Sequence, residues 1–242
     1  MDGKRQTRQT DSDPQGASLG RRQLMAGAGV SALALGAGKE AAAAFAEGKF
    51  TGPLVGHVDT NSARVWVRPG TQLQSVRGWE CEVQSGGRVV TRAEARLDPD
   101  HDYTVVFDLA GLTADTAYRF AISPSTKAGR VRAVGEFRTP PAAGDPARVT
   151  LGVGSCAPSK PSHVWTRIVQ EDCQGFIFLG DTPYVDTTDL SVARERHRTF
   201  LEQPEIAQMI ASRPCWGTWD DHDFGLNDGH GDFQGKHVGR LA

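Results

Sequence analysis

Cysteine is scarce in this 242-residue chain: there are four, Cys81, Cys156, Cys173 and Cys215, and no two form a C-x-x-C pair. So few exclude a disulfide scaffold, and their spacing excludes a structural zinc site of the paired-cysteine kind. Charge of one sign is also lacking. Lys plus Arg number 27 against 29 for Asp plus Glu, a formal charge of −2. The chain therefore lacks the strong positive field of a dedicated nucleic-acid binder, and no nucleic-acid partner is expected. Long hydrophobic runs are missing too. The apolar stretch from Ala26 to Gly38 is about 13 residues, short of the roughly 20 that cross a bilayer, so no stable membrane anchor is expected. What is present, 38% hydrophobic and 23% charged residues, is a globular composition. It rules out a wholly disordered or collagen-like chain and suffices for one large domain or two small ones.

Residues 1–46 differ from the rest. A polar stretch from Met1 to Gly16 gives way to Gly20-Arg21-Arg22-Gln23-Leu24-Met25, then to the Ala- and Gly-rich run, then to an Ala44-Phe45-Ala46 cleavage pattern. Polar n-region, twin arginine and apolar h-region in that order resemble a bacterial twin-arginine (Tat) signal; a disordered tail with a chance Arg-Arg is the alternative. The resemblance implies handling by the Tat export machinery and a periplasmic or extracellular destination. Because that route carries folded proteins, often with a metal already loaded, it directs attention to metal-binding residues downstream.

From Thr51 to about Pro140 the signals are strands and turns. Ala63 to Arg68, Glu80 to Gln84, Tyr103 to Phe107 and Tyr118 to Ile122 alternate apolar and polar residues, as half-buried strands do. Pro69-Gly70, Ser85-Gly86-Gly87 and Asp98-Pro99-Asp100 separate them. Several short strands so spaced predict an antiparallel sandwich over residues 47–140. The stretch from Gly111 to Tyr118 resembles the tyrosine corner of fibronectin type III domains, in which the Tyr hydroxyl bonds back to upstream backbone. Cys81, at an apolar strand position, reads as a small buried hydrophobe. Three prolines and a glycine within Pro140 to Pro146 cannot continue a sheet, so residues 141–147 read as a linker.

Beyond the linker, over residues 148–242, the pattern changes. Val149 to Val153 predicts a strand, His163 to Gln170 a short amphipathic helix, and 189–212 two helical stretches with Pro204 near the start of the second. Gly175-Phe176-Ile177-Phe178-Leu179 is an unbroken apolar run, the mark of a strand buried on both faces of a parallel sheet. Pro214 to Trp219 predicts a third strand. The expected class is α+β: a fibronectin III-like sandwich, then an incomplete α/β domain. Cys156, then Asp181 with Tyr184, then Asp220-Asp221-His222-Asp223 each follow a predicted strand, and in open α/β sheets that edge is where ligands bind. Anionic oxygen, phenolate, thiolate and imidazole together suit transition metals of mixed hardness. Three acids within four positions repel one another unless cations or hydrogen bonds offset the charge. Taken singly, Gly-Asp is also a common turn, Cys156 could be a buried small residue, and 220–223 could be an exposed acidic turn.

At these motifs the chain resembles the PhoD-type alkaline phosphatases, metallophosphoesterase-like enzymes of bacteria. The resemblance lies in Gly154-Ser155-Cys156, Gly180-Asp181-Thr182-Pro183-Tyr184 and the stretch from Trp219 to Asp228, with Gly52 to Gly56 and Phe137 to Pro140 bounding the sandwich, and it covers about residues 50–237. It implies a ferric ion held by Cys156, Asp181 and Tyr184, with the Asp181 carboxylate bridging to calcium. Asp221 and Asn227 are the candidates for the calcium side, and His222 for orienting a phosphate ester or helping its leaving group. The choice between Asp220 and Asp221 as the inward-facing acid stays open. The reaction implied is phosphate ester hydrolysis, of monoesters or diesters.

The resemblance further implies that Asp, Asn and His ligands from a second half of the α/β domain complete the metal centre. Strands supplying them have no counterpart after Asn227-Asp228-Gly229, where His230 and His237 read as solvated loop residues. Residues 148–242 therefore read as the N-terminal half of such a domain, with doubtful activity. Two readings result: a truncated exported metal-dependent phosphatase or phosphodiesterase, and an exported β-sandwich binding module with a vestigial catalytic remnant.

Overall fold

The computed structural model describes residues 49–126 and 131–233; the signal read at 1–46, and His237, lie outside the described residues. Seven strands come first: β1 (Phe50–Val58), β2 (Ser62–Pro69), β3 (Gly78–Ser85), β4 (Arg88–Arg96), β5 (Val105–Ala110), β6 (Ala117–Pro124) and β7 (Ala133–Arg138). They form two antiparallel sheets, ordered β1-β2-β5 and β4-β3-β6-β7. The alternation seen in the sequence decides which side chains go inward. Ala63, Val65 and Val67 of β2 and Val105, Phe107 and Leu109 of β5 meet Trp79, Cys81 and Val83 of β3 and Tyr118, Phe120 and Ile122 of β6 in one apolar cluster. Cys81 is fully buried there. The Tyr118 hydroxyl accepts from the Thr113 N–H at 2.7 Å, the bond that the corner motif predicts.

β5 starts at Val105, two residues after the alternation begins. Asp102 and Tyr103 adopt left-handed backbone, φ 52° and 60°, which ends the preceding turn and cannot belong to a strand. The Asp102 carboxylate then accepts from Arg68 Nε at 2.9 Å and from Arg198 Nη1 at 3.0 Å.

The rest of the described chain runs β8 (Leu151–Gly154), α1 (His163–Gln170), β9 (Gly175–Leu179), α2 (Leu190–Leu201), α3 (Pro204–Ser212), β10 (Cys215–Thr218) and α4 (Asp221–Phe224). Its three strands form a parallel sheet in the order β10-β9-β8. Phe176 and Phe178 project from one face onto Trp165 of α1, Phe200 of α2 and Ile206, Met209 and Ile210 of α3. Small neighbours make room for the rings: a Cβ at Gly152 would come within 2.6 Å of the Phe176 ring.

On the other face the expectation of a strand buried on both sides is corrected. Leu151 is 45% exposed, Val153 56%, Leu179 47% and Trp216 37%. An unbroken apolar run reports that both faces of a strand are apolar; what covers each face is set by other elements, and among the described residues the helices lie on one side.

α3 explains how this sheet is held. Ile206, Ala207, Met209, Ile210 and Ala211 are all buried, and the helix packs on β1 and β7 as well as on α1. Pro204 in its first turn has no N–H to leave unpaired. Thr51 Oγ1 on β1 also bonds Glu202 Oε1 just after α2. Among the described residues no helix is long and apolar enough to cross a membrane.

Candidate metal centre

Three loops leave the C-terminal ends of β8, β9 and β10, and each carries residues singled out in the sequence. Backbone bonds tie the first two together: Cys156 N–H donates to Gly180 O at 3.2 Å and Ala157 N–H to Asp181 O at 2.9 Å. Gly180 is obligatory on two counts. Its φ is +90°, and a Cβ there would stand 2.6 Å from Asp220 Cβ and 2.7 Å from Asp220 N, so the second and third loops touch where only glycine fits.

Asp223 locks that contact. Its buried carboxylate accepts from Asp181 N–H at 2.8 Å, from Thr182 N–H at 2.6 Å and from Asp220 N–H at 2.6 Å. Asp220 caps α4, accepting from Asp221 N–H at 3.0 Å, and with Asp223 forms a capping box. Asp220 and Asp223 thus hold the loop and the helix start, and of the pair Asp220 and Asp221 it is Asp221 whose donor atom lies near those of Asp181 and His222.

Donor atoms of Asp181, Asp221 and His222 all lie within 4.8 Å of one another. Asp181 is 8% exposed; its Oδ2 lies 3.7 Å from Cys156 Sγ, and its Oδ1 is buried without a hydrogen-bond partner. Such an orphaned carboxylate oxygen is costly unless something electropositive meets it. The neighbouring Cys156 thiol, then desolvation and the Cys156 and Asp181 charges, push the Tyr184 phenol up to about 12. Asp221 accepts from the Asp228 backbone N–H, which holds its carboxyl below the usual range. Asn227 stands exposed beside it, its Nδ2 donating to Asp228 Oδ2 at 2.7 Å, so its amide oxygen is not used by that bond.

His222 is gripped by the loop that follows Asp181. Its ring packs on Tyr184, centroids 4.5 Å apart, its Nδ1 bonds Asp186 Oδ1, and its carbonyl accepts from Val185 N–H at 2.9 Å and Asp186 N–H at 3.1 Å. Asp186, and after it Asp221 and Asp181, raise the imidazole pKa. Arg196 of α2 bonds the Val185 carbonyl and fastens the loop from behind.

The structure therefore gathers Cys156, Asp181, Tyr184, Asp221 and His222, and puts Asn227 in the adjoining turn. Sequence reasoning placed Asp223 in the acidic cluster without a role of its own and did not single out Asp186. The first carries a legible signal, since an acid three residues after an N-cap Asp is a capping-box pattern. The second carries none, because Asp186 follows an ordinary Thr-Pro-Tyr-Val turn.

No protein-family model matches the chain, and no curated protein is a significant match. Among solved structures, that of PhoD superposes with a TM-score of 0.66 over 76% of this chain, at 17% identity. The chain has a PhoD-like fold. The superposition takes in 42% of the PhoD chain, so this protein spans less than half the length of its solved neighbour. The sensor domain of the anti-sigma factor RsgI4 from Pseudobacteroides cellulosolvens (12% identity, TM-score 0.29, 38% of this chain and 94% of that one) is far more distant than PhoD. So is Bacteroides uniformis beta-glucuronidase 3 (11% identity, TM-score 0.33, 76% of this chain and 29% of that one); neither bears on the fold.

Proposed function

We propose that the protein is an exported, metal-dependent hydrolase of phosphate esters, built as a fibronectin III-like sandwich (47–140), a linker (141–147) and an α/β metallophosphoesterase-like portion (148–242). The sheet orders and the two separate apolar clusters support that division. The observation that carries the reading is Asp181: a buried carboxylate with an orphaned Oδ1, beside Asp221 and His222, at the edge of a parallel sheet where α/β folds take ligands.

The donor set fits the metals that the sequence resemblance implies. Cys156, Asp181 and Tyr184 would hold a ferric ion, whose high charge suits thiolate, carboxylate and phenolate. Asp181, Asp221 and the Asn227 amide oxygen would hold calcium, which takes hard oxygen ligands. Bound metals at such a site polarise the phosphoryl oxygens of a substrate and lower the pKa of water. The chain's own part is positional. Asp223 pins Asp181 through the backbone on either side of its side chain, and Asp228 pins Asp221. His222, beside both carboxylates, would orient the phosphate ester or hold the proton destined for the leaving oxygen.

The full chain, stripped with chelator and reloaded with ferric and calcium ions, tests this. Elemental analysis should find both metals bound, and p-nitrophenyl phosphate or bis(p-nitrophenyl) phosphate should be turned over. Asp181→Asn and Tyr184→Phe should lower turnover on the order of 100-fold or more, as loss of a ligand does. A folded chain with neither metal nor turnover would overturn the proposal and leave the binding-module reading. Twin-arginine export is tested separately: Arg21→Lys with Arg22→Lys should keep the protein in the cytoplasm.

A further inference from the structure

The strongest unused group near the site is Asp186. It ligates nothing in the proposed centre, yet three bonds converge from its immediate chain onto His222: its own Oδ1 to the ring Nδ1, and the N–H groups of Val185 and Asp186 to the His222 carbonyl at 2.9 and 3.1 Å. Its backbone is left-handed, φ 47°, a conformation that a non-glycine residue adopts only when its surroundings impose it. Tyr184 closes the ring from another side, and the Arg196 bond to the Val185 carbonyl ties the same turn to α2.

We propose that Asp186 is a positioning residue for His222: by accepting from Nδ1–H it selects that tautomer and that ring orientation, leaving Nε2 as the nitrogen offered to a metal or a substrate beside Asp181 and Asp221. The logic is that of a carboxylate–histidine pair at a metal site, in which the outer carboxylate decides which ring nitrogen carries the proton and which is free. Both parts of the grip are needed. The main-chain bonds place the His222 Cα, and the side-chain bond removes the remaining freedom of the ring. Asp186 is 43% exposed at its side chain and His222 20% exposed, so deleting the carboxyl opens no core cavity. The significance for chemistry rests on the hydrolase reading; the tautomer does not.

The test is long-range proton–nitrogen NMR on the metal-free full chain at alkaline pH, where the ring is neutral, with His222→Gln to assign the signal. Wild type should show His222 as the Nδ1–H tautomer. Asp186→Asn, whose amide oxygen can still accept, should keep it. Asp186→Gly, which removes the side chain while easing the left-handed backbone, should release the ring to both tautomers. An Nε2–H tautomer in wild type, or an unchanged tautomer in Asp186→Gly, would overturn the assignment. Should wild type take up no metal while the tautomer follows Asp186 as stated, the hydrolase reading fails and the tautomer assignment stands.

Discussion

Asp223 shows how much a single side chain can organise. Three backbone N–H groups from two loops end on its carboxylate. Asp223→Asn keeps the shape but turns an amide N–H toward at least one of these donors, leaving buried groups unpaired at about 1–3 kcal/mol each. Urea unfolding should show a loss of about 2–4 kcal/mol and Asp181 should lose its metal affinity; a loss under about 1 kcal/mol would mean that the loops hold themselves. At this scale the sequence was legible as a set and ambiguous as a choice. The motif around Asp220 and Asp221 announced an acidic site, but the capping spacing of Asp220 and Asp223 that separates their roles can be read only once the start of α4 is known. Asp186 was illegible because its role depends on where β10 delivers His222, a tertiary fact.

Among the elements, α3 carries the second cluster onto the sandwich. Its Ile210 is fully buried, and the helix packs on β1 and β7 on one side and on α1 on the other. Ile210→Ala should therefore cost about 2–5 kcal/mol, whereas Val106→Ala, at a position 43% exposed on β5, should change stability by less than about 0.5 kcal/mol. Denaturant curves on the two variants separate these outcomes, and equal effects would contradict the packing described. Element positions were well legible: α1 occupies the predicted residues, and α2 and α3 divide at Pro204. Periodicity alone places an element; it cannot say what stands opposite. Hence β9 was found, while the open face of its sheet was not, and β5 began late because the left-handed pair Asp102 and Tyr103 has no hydrophobic signature.

For the molecule as a whole, the thiols set an alkaline limit. Burial pushes Cys81 up to about 12 and, with a smaller opposing effect from Arg213, pushes Cys215 up to about 12. A raised pKa in the folded state means that stability is complete below the unfolded thiol's pKa near 9 and is lost as pH climbs toward 12, because the unfolded chain releases its protons first. Stability measured against pH should fall through this window, and Cys81→Ala combined with Cys215→Ala should flatten the fall even though the double variant starts out less stable. An identical slope in both proteins would show that the thiols do not govern it. Exposed Cys156 should meanwhile react with a thiol reagent in the native protein, ahead of the other three.

The stitching of the three loops has a kinetic side. Asp181 is held by Asp223, Asp221 by Asp228, and His222 by Val185, Asp186 and Tyr184, all through contacts made within the chain itself. The entropy of gathering these groups is therefore spent during folding. A ligand arriving at the edge of the parallel sheet meets donors already assembled, and its capture is timed by diffusion and by the shedding of its own water, with no slow chain rearrangement in between.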